Sequence, residues 1–115
     1  MNDTIRYVGK DVGEAAWSTE EVATGATEMY DGRVNMAIIK KISGWKGLYP
    51  AFALCDALNT GGVTGWYLPA YYELRRIVSN GNYWSSSEYS ESLASAYYDV
   101  HIKKDILIVK AIHRF

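Results

Sequence analysis

Residues 65–89 read GWYLPAYYELRRIVSNGNYWSSSEY, and this stretch decides the fold. It holds two of the four tryptophans, five of the ten tyrosines and one of the two prolines. Gly65, Trp66, Tyr67 and Leu68 read as a short buried strand stopped by Pro69. Proline suits the first turn of the helix that follows, where its missing N–H has no intrahelical partner to lose. Over residues 70–80, Ala70, Leu74, Ile77 and Val78 fall on one helical face. Glu73 stands early and Arg75 and Arg76 late, the favourable order for the helix dipole. Asn80-Gly81, residue types that tolerate a left-handed backbone, ends the helix, and a new strand begins at Tyr83.

Working outward, "GWYLPAYYEL" followed by "YWSSSEY" resembles the signature G-W-[RY]-L-P-x-x-x-E-L…Y-W-S-S-[ST]-x-Y of a bacterial and phage domain family. Those domains, found in Bacteroides-type and Fibrobacter-type secreted proteins and in the Legionella collagen-like adhesin, have a C-type-lectin-like fold. The terminal "IVKAIHRF" is similar to the V-[RK]-A-[VI]-x-x-F strand that closes them. Upstream, "WSTEEVATGATEMYDGRVNMAIIKKI" and "YPAFALCDAL" look like the family's approach to the signature, so the resemblance runs from Trp17 to Phe115. Two features depart from it: only residues 79–82 separate the signature helix from "YWSS", and the hairpin before the last strand shrinks to Lys103-Lys104-Asp105.

A chain of 115 residues makes one domain, residues 1–115. A hydrophobic content of 49% and an aromatic content of 14% argue against disorder, and a net charge of −1 lacks the basic surplus of a nucleic-acid binder. A single cysteine excludes an internal disulfide. No apolar run reaches the ~20 residues of a membrane span, and residues 1–10 lack the basic start and apolar segment of a signal peptide.

Earlier in the chain, residues 5–8 are a short strand candidate, and residues 17–30 an irregular segment anchored by Trp17. Asp31 caps a helix whose Val34, Ile38 and Ile42 recur at helical spacing, ended by Ser43-Gly44. After a connection over residues 45–49, a second helix with Pro50 in its first turn carries the stripe Ala51, Leu54, Cys55, Leu58. Beyond the central stretch, Ala94, Ala96, Tyr98, Val100 and Ile102 alternate with Ser95, Tyr97, Asp99, His101 and Lys103. One half-buried strand is expected, the second set facing outward. Residues 106–112, nearly all β-branched or aliphatic, read as a central strand covered on both faces. Helices early and strands late predict an α+β fold with two to three helices and a small, mainly antiparallel sheet. The expected core contains Trp66, Leu68, Leu74, Trp84, Val100, Ile108, Val109 and Ile112, with the first strand close to the last.

The chemical candidates are few. The glycine-rich run 61–65 neither follows a strand nor opens a helix and lacks a P-loop lysine, so it reads as a connection. Cys55, His101 and His113 form no close pair, and Cys55 on an apolar stripe reads as a buried small hydrophobe. Formylglycine-generating enzymes, whose fold is related, work through a cysteine pair that this chain lacks. Ser85, Ser86 and Ser87 have no nucleophile elbow and no adjacent histidine–acid pair, so their hydroxyls are expected to bond neighbouring loop backbone. The calcium-binding Glu-Pro-Asn, Gln-Pro-Asp and Trp-Asn-Asp motifs of sugar-binding lectins are absent. No metal and no cofactor are expected.

What remains is a late surface: Ser90, Glu91, Ser92, Tyr97, Asp99, His101, Lys103, Lys104 and Asp105. The resemblance implies that the segment after "YWSS" forms the binding face, diversified in some relatives by a retroelement that mutates adenine-containing codons. Tyr, Ser, Asp and His make adaptable paratopes; the competing reading is a plain solvated strand face. The expectation is a non-enzymatic, calcium-independent, adhesin-like module that binds a protein or glycan at a cell surface. A surface protein, secreted protein or phage particle would carry it. The alternative is a structural or oligomerisation domain without a small ligand.

Overall fold

The computed structural model describes residues 6–114. They form an α+β structure of four α-helices and two small antiparallel sheets. The first strand, β1 (Tyr7–Ala16), pairs antiparallel with the last, β5 (Ile106–Arg114), from Tyr7 opposite Arg114 to Ala16 opposite Ile106. The expected closeness of first and last strands holds. The strand itself is longer than the 5–8 reading and starts later, and Ile5 lies outside the described residues, as does Phe115 of the terminal motif. The ladder slips between Asp11 and Gly13, where Gly13 takes a positive φ of 132°. Such a bulge lets β1 bend along the core without breaking the pairing.

Strand β5 alternates: Leu107, Val109 and Ala111 are buried, while Ile106 is exposed and Ile108 half-buried. It is therefore not covered on both faces. Its second edge is met by bridges from Tyr67 to Ile112 and from Tyr83 to Ile108, so it is paired on both edges.

Asp31 caps α1 (Gly32–Lys40) through its carboxylate, which accepts the Arg33 amide. The buried side is Asn35, Met36 and Ile39; Val34 is exposed, and Ile38 and Ile42 are only half-buried. The helix is rotated by about one residue because Gly32 lies against the 67–70 segment. A Cβ there would sit 2.3 Å from the Leu68 carbonyl oxygen. Asn35 is buried at no cost in unmet hydrogen bonds: it donates to the Glu28 carbonyl and Ser86 Oγ and accepts from the Glu28 amide. The expected connection at 45–49 contains a short helix, α2 (Trp45–Leu48), so the described helices exceed the two to three foreseen. Pro50 does open α3 (Pro50–Asp56), which buries Ala51, Phe52 and Cys55; Leu54 and Leu58 are half-buried against the same core.

Pro69 falls outside its helix. Ala70 is the N-cap of α4 (Tyr71–Ile77), and the Pro69 carbonyl accepts the Ser86 amide at 2.7 Å, holding that segment extended. The helix stops at Val78, whose φ of −125° and ψ of 152° are extended; the positive φ expected near Asn80-Gly81 belongs to Gly81, in the turn beyond. Glu73 is wholly buried and fully used, accepting from the Gly32 amide, the Ala70 amide and the Tyr67 hydroxyl at 2.7, 3.1 and 2.8 Å. Its carboxylate ties the starts of α1 and α4 together.

The second sheet has the order β2 (Trp84–Glu88), β3 (Leu93–Ala96), β4 (Asp99–Ile102). Between β2 and β3 the register moves from Trp84 opposite Ala96 to Glu88 opposite Ala94, so the serine triplet bulges out of the ladder. The serines meet the bonds the ladder loses. Ser85 Oγ donates to the Ser95 carbonyl, Ser87 Oγ donates to the Glu28 carbonyl and accepts the Tyr71 amide, and Ser86 Oγ accepts from Asn35. The expected backbone role holds for Ser85 and Ser87, while Ser86 bonds a side chain.

The core centres on Trp17 and Trp84, both inaccessible to solvent. Trp17 Nε1 donates to the Ser85 carbonyl and Trp84 Nε1 to the Ala15 carbonyl, so the two indoles stitch β1 to β2. Phe52 and Tyr49 meet Trp17 edge-on at 5.1 and 6.0 Å. Of the expected core, Leu68, Leu74, Trp84, Val109 and Ile112 are buried and Trp66 and Ile108 half-buried, whereas Val100 is exposed.

Candidate binding surface

The expected single strand over 94–102 is two strands. Register pairs Ala96 with Asp99 and Ala94 with His101, leaving Tyr97 and Tyr98 as a two-residue hairpin loop. Residues opposite one another share a face, so this loop reverses the parity of everything after it. Asp99 and His101 join the face of Ala94 and Ala96. Val100 and Ile102, expected inward, turn outward with 37% and 50% exposure. The turn was illegible because it uses no Gly, Asn or Asp; Tyr98 itself adopts the left-handed conformation, φ 55°.

The nine expected surface residues therefore divide. Tyr97 and Asp99 lie at the hairpin tip, where the Tyr97 hydroxyl donates to the Ser79 carbonyl and the Asp99 carboxylate accepts the Val100 amide. Ser90, Glu91, Ser92, Lys104 and Asp105 lie at its base, where the Ser92 carbonyl accepts the Lys103 amide. The row Tyr97–Asp99–His101 does not exist. His101 is half-buried, edge-on to Trp84 at 6.1 Å, with Asp99 and Asp105 each 3.5 Å from opposite ring nitrogens. Among the described residues no group of three or more His, Cys, Asp and Glu is placed to hold an ion.

Lys103 is removed from the surface altogether. It is fully buried; its ammonium lies 2.6 Å from Glu88 Oε2, donates to the Val22 carbonyl at 2.9 Å and sits 4.8 Å from the Trp17 ring centroid. Alternation alone sends residue 103 outward, but Glu88 supplies a buried counter-charge that no sequence pattern placed opposite it. Cys55, in contrast, is buried as expected, and burial pushes its thiol well above the usual range.

An aromatic and cationic concave surface lies beside the hairpin tip. Tyr30, Tyr72, Arg75, Arg76 and Tyr98 line a groove of about 450 Å³, continued past Tyr7 and Glu73 by a recess of about 240 Å³. Tyr30 precedes α1; α4 supplies Tyr72, Arg75 and Arg76; the loop supplies Tyr98. The Tyr72 amide donates to the Met29 carbonyl, which fixes α4 beside the segment carrying Tyr30. The rings of Tyr30 and Tyr72 stack at 4.8 Å and 16°. Arg75 lies 4.2 Å from the Tyr98 ring centroid, with Tyr72 and Tyr71 at 5.5 and 5.7 Å, and donates to the Tyr98 hydroxyl. The signal for this surface was present in residues 71–76, where Tyr71 and Tyr72 precede Arg75 and Arg76 by one helical turn.

A second cavity, about 410 Å³ beside Trp66, is less suited to a charged ligand. Its cations are already paired, Arg33 with Asp31 at 2.8 Å and Lys40 with Asp56 at 2.9 Å. Among the described residues no helix is long and apolar enough to cross a membrane. Comparison of the chain with protein families, curated proteins and solved structures finds no match.

Proposed function

We propose that the chain belongs to the C-type-lectin-like family it resembles and works as a non-enzymatic recognition module, binding a protein or glycan at a cell surface without calcium. A bacterial surface protein or a phage carries it in this reading. The observation that supports it best is the tyrosine–arginine groove beside the hairpin tip. Tyr98 is 59% exposed in a backbone conformation that favours glycine, and Tyr30 is 69% exposed. Tyrosine and arginine are the residue types enriched at binding hot spots. A ring placed where glycine is easier favours use of the ring. Tyr97, Tyr98, Asp99 and His101 are also types that adenine-codon diversification yields, so a neighbouring reverse transcriptase gene with a near-repeat of these codons is expected on this reading.

The test is a protein and glycan array probed with the purified domain and its Tyr98→Ala variant. Specific capture that the variant loses supports recognition; capture unchanged by the variant moves the face elsewhere. The second reading, an oligomerisation unit, draws on exposed Val100, Ile102 and Ile106. Sedimentation equilibrium separates the two, a stable oligomer dissociated by Ile102→Lys favouring assembly.

A further inference from the structure

We infer that the groove takes an acidic protein segment, with a carboxylate gripped by Arg75 and Arg76 and an adjoining apolar or aromatic side chain laid against the tyrosine rings. The inference rests on the recognition reading and narrows its ligand.

Hydrogen-bonding inventory carries the choice. Tyr30, Tyr72, Arg75, Arg76 and Tyr98 line the groove, and no carboxylate or carboxamide is among them. Guanidinium groups only donate, so the phenol oxygens are the sole side-chain acceptors. Glu73, in the adjoining recess, is buried and already accepts three hydrogen bonds. A glycan brings many hydroxyls that donate as well as accept, and three phenol oxygens offer them few side-chain acceptors. A carboxylate beside an apolar side chain needs only donors and rings.

Charge points the same way. Neither Arg75 nor Arg76 forms an ion pair among the described residues, whereas Arg33 and Arg114 share Asp31 and Lys103 and Lys110 face Glu88 and Asp11. The Arg75 guanidinium is held by three rings and one phenol oxygen, which leaves most of its five N–H groups for a ligand. These contacts restrict the side chain, so less freedom is lost when the fork meets a carboxylate. Arg76, 6.0 Å from the Tyr7 ring, lines both the groove and the adjoining recess and supplies a second cation there.

The test is an NMR titration of the domain, following the side-chain Nε–H signals of Arg75 and Arg76. The probe is the blocked tetrapeptide acetyl-Glu-Phe-Glu-Leu-amide; its Gln-for-Glu counterpart and a hyaluronan tetrasaccharide are the comparisons. The acidic peptide is expected to shift both signals, to bind at least ~10-fold more tightly than the Gln peptide, and to weaken as salt is raised. Arg75→Gln and Arg76→Gln each lower its affinity by a similar factor with melting temperature unchanged. Equal binding of the Gln peptide overturns the carboxylate assignment and leaves the recognition surface standing. Tighter binding of the tetrasaccharide assigns the groove to acidic glycans instead. No shift with the acidic peptide at millimolar concentration overturns the inference, while the array result on Tyr98→Ala decides recognition separately.

Discussion

The Lys103 ammonium and the Glu88 carboxylate meet at 2.6 Å with 0% and 4% of their side chains exposed. Thr24 and Gly25 donate three more hydrogen bonds to the same carboxylate, and Val22 offers its carbonyl to the ammonium. One buried pair thereby holds the irregular segment after Trp17 against β2. Removing one partner leaves the other charge buried without compensation, which costs about 3–5 kcal/mol. Urea denaturation of Glu88→Gln and of Lys103→Met is expected to show losses of that size. The double variant Glu88→Gln/Lys103→Met is expected to recover much of the loss, and additive losses would show that the charges do not depend on each other.

Acid sensitivity follows from the same site. Burial pushes the Glu88 carboxyl up, but the Lys103 hydrogen bond, the Thr24 amide, the Lys103 charge and the Thr24 hydroxyl outweigh it and hold the group below its ordinary value. Asp31, beside Arg33, is also lowered. A depressed folded-state pKa contributes stability above the unfolded value of ~4.3 for Glu and ~3.9 for Asp, and that contribution is lost as pH falls further. Melting temperature is expected to fall below about pH 4, less steeply in Glu88→Gln. A wild-type profile flat to pH 2 would contradict this account.

Trp84 tests the core. Its ring is inaccessible and its Nε1 bonds the Ala15 carbonyl at 2.8 Å. Trp84→Ala is expected to cost about 3–5 kcal/mol in chemical denaturation, the range for large aromatic truncations.

At Tyr98, stability and binding are expected to separate. A non-glycine residue with φ 55° carries a strain of ~1–2 kcal/mol that glycine does not. Tyr98→Gly should therefore be more stable than Tyr98→Ala by about 1 kcal/mol, although both lose the ring over Arg75. Thermal melts check the first statement and the array the second. A Gly variant no more stable than the Ala variant would mean the loop relaxes out of the left-handed conformation.

Local rules made much of the fold legible. The Asp31 carboxylate cap, Pro50 at the start of α3 and the aliphatic run of β5 depend on residues near in sequence, and each appears where it was read. The failures share a cause in long-range contacts. Gly32 against the Leu68 carbonyl turns α1 off its apparent stripe, and Ser86 on the Pro69 carbonyl delays α4. The Tyr97-Tyr98 turn carries no turn residue, and its parity change moved His101 inward and Val100 outward. Lys103 was misplaced because a buried lysine is legible only through its partner, and Glu88 lies fifteen residues away with no pattern linking them. The groove was partly visible in Tyr71, Tyr72, Arg75 and Arg76, but Tyr30 and Tyr98 reach it only through the tertiary fold.

Tyr7 and Arg114 stand opposite one another in the β1–β5 ladder, so their Cα atoms lie roughly 5 Å apart. The described chain is thus nearly a ring, and a ring has no privileged starting point. Joining Tyr7 to Arg114 through a short flexible linker and reopening the chain in the exposed Gly61-Gly62 loop leaves every described strand pairing intact. In the permuted order α4 and the hairpin are synthesised before α1. Tyr72, Arg75, Arg76 and Tyr98 of the groove then emerge in one continuous half, with Tyr30 arriving last.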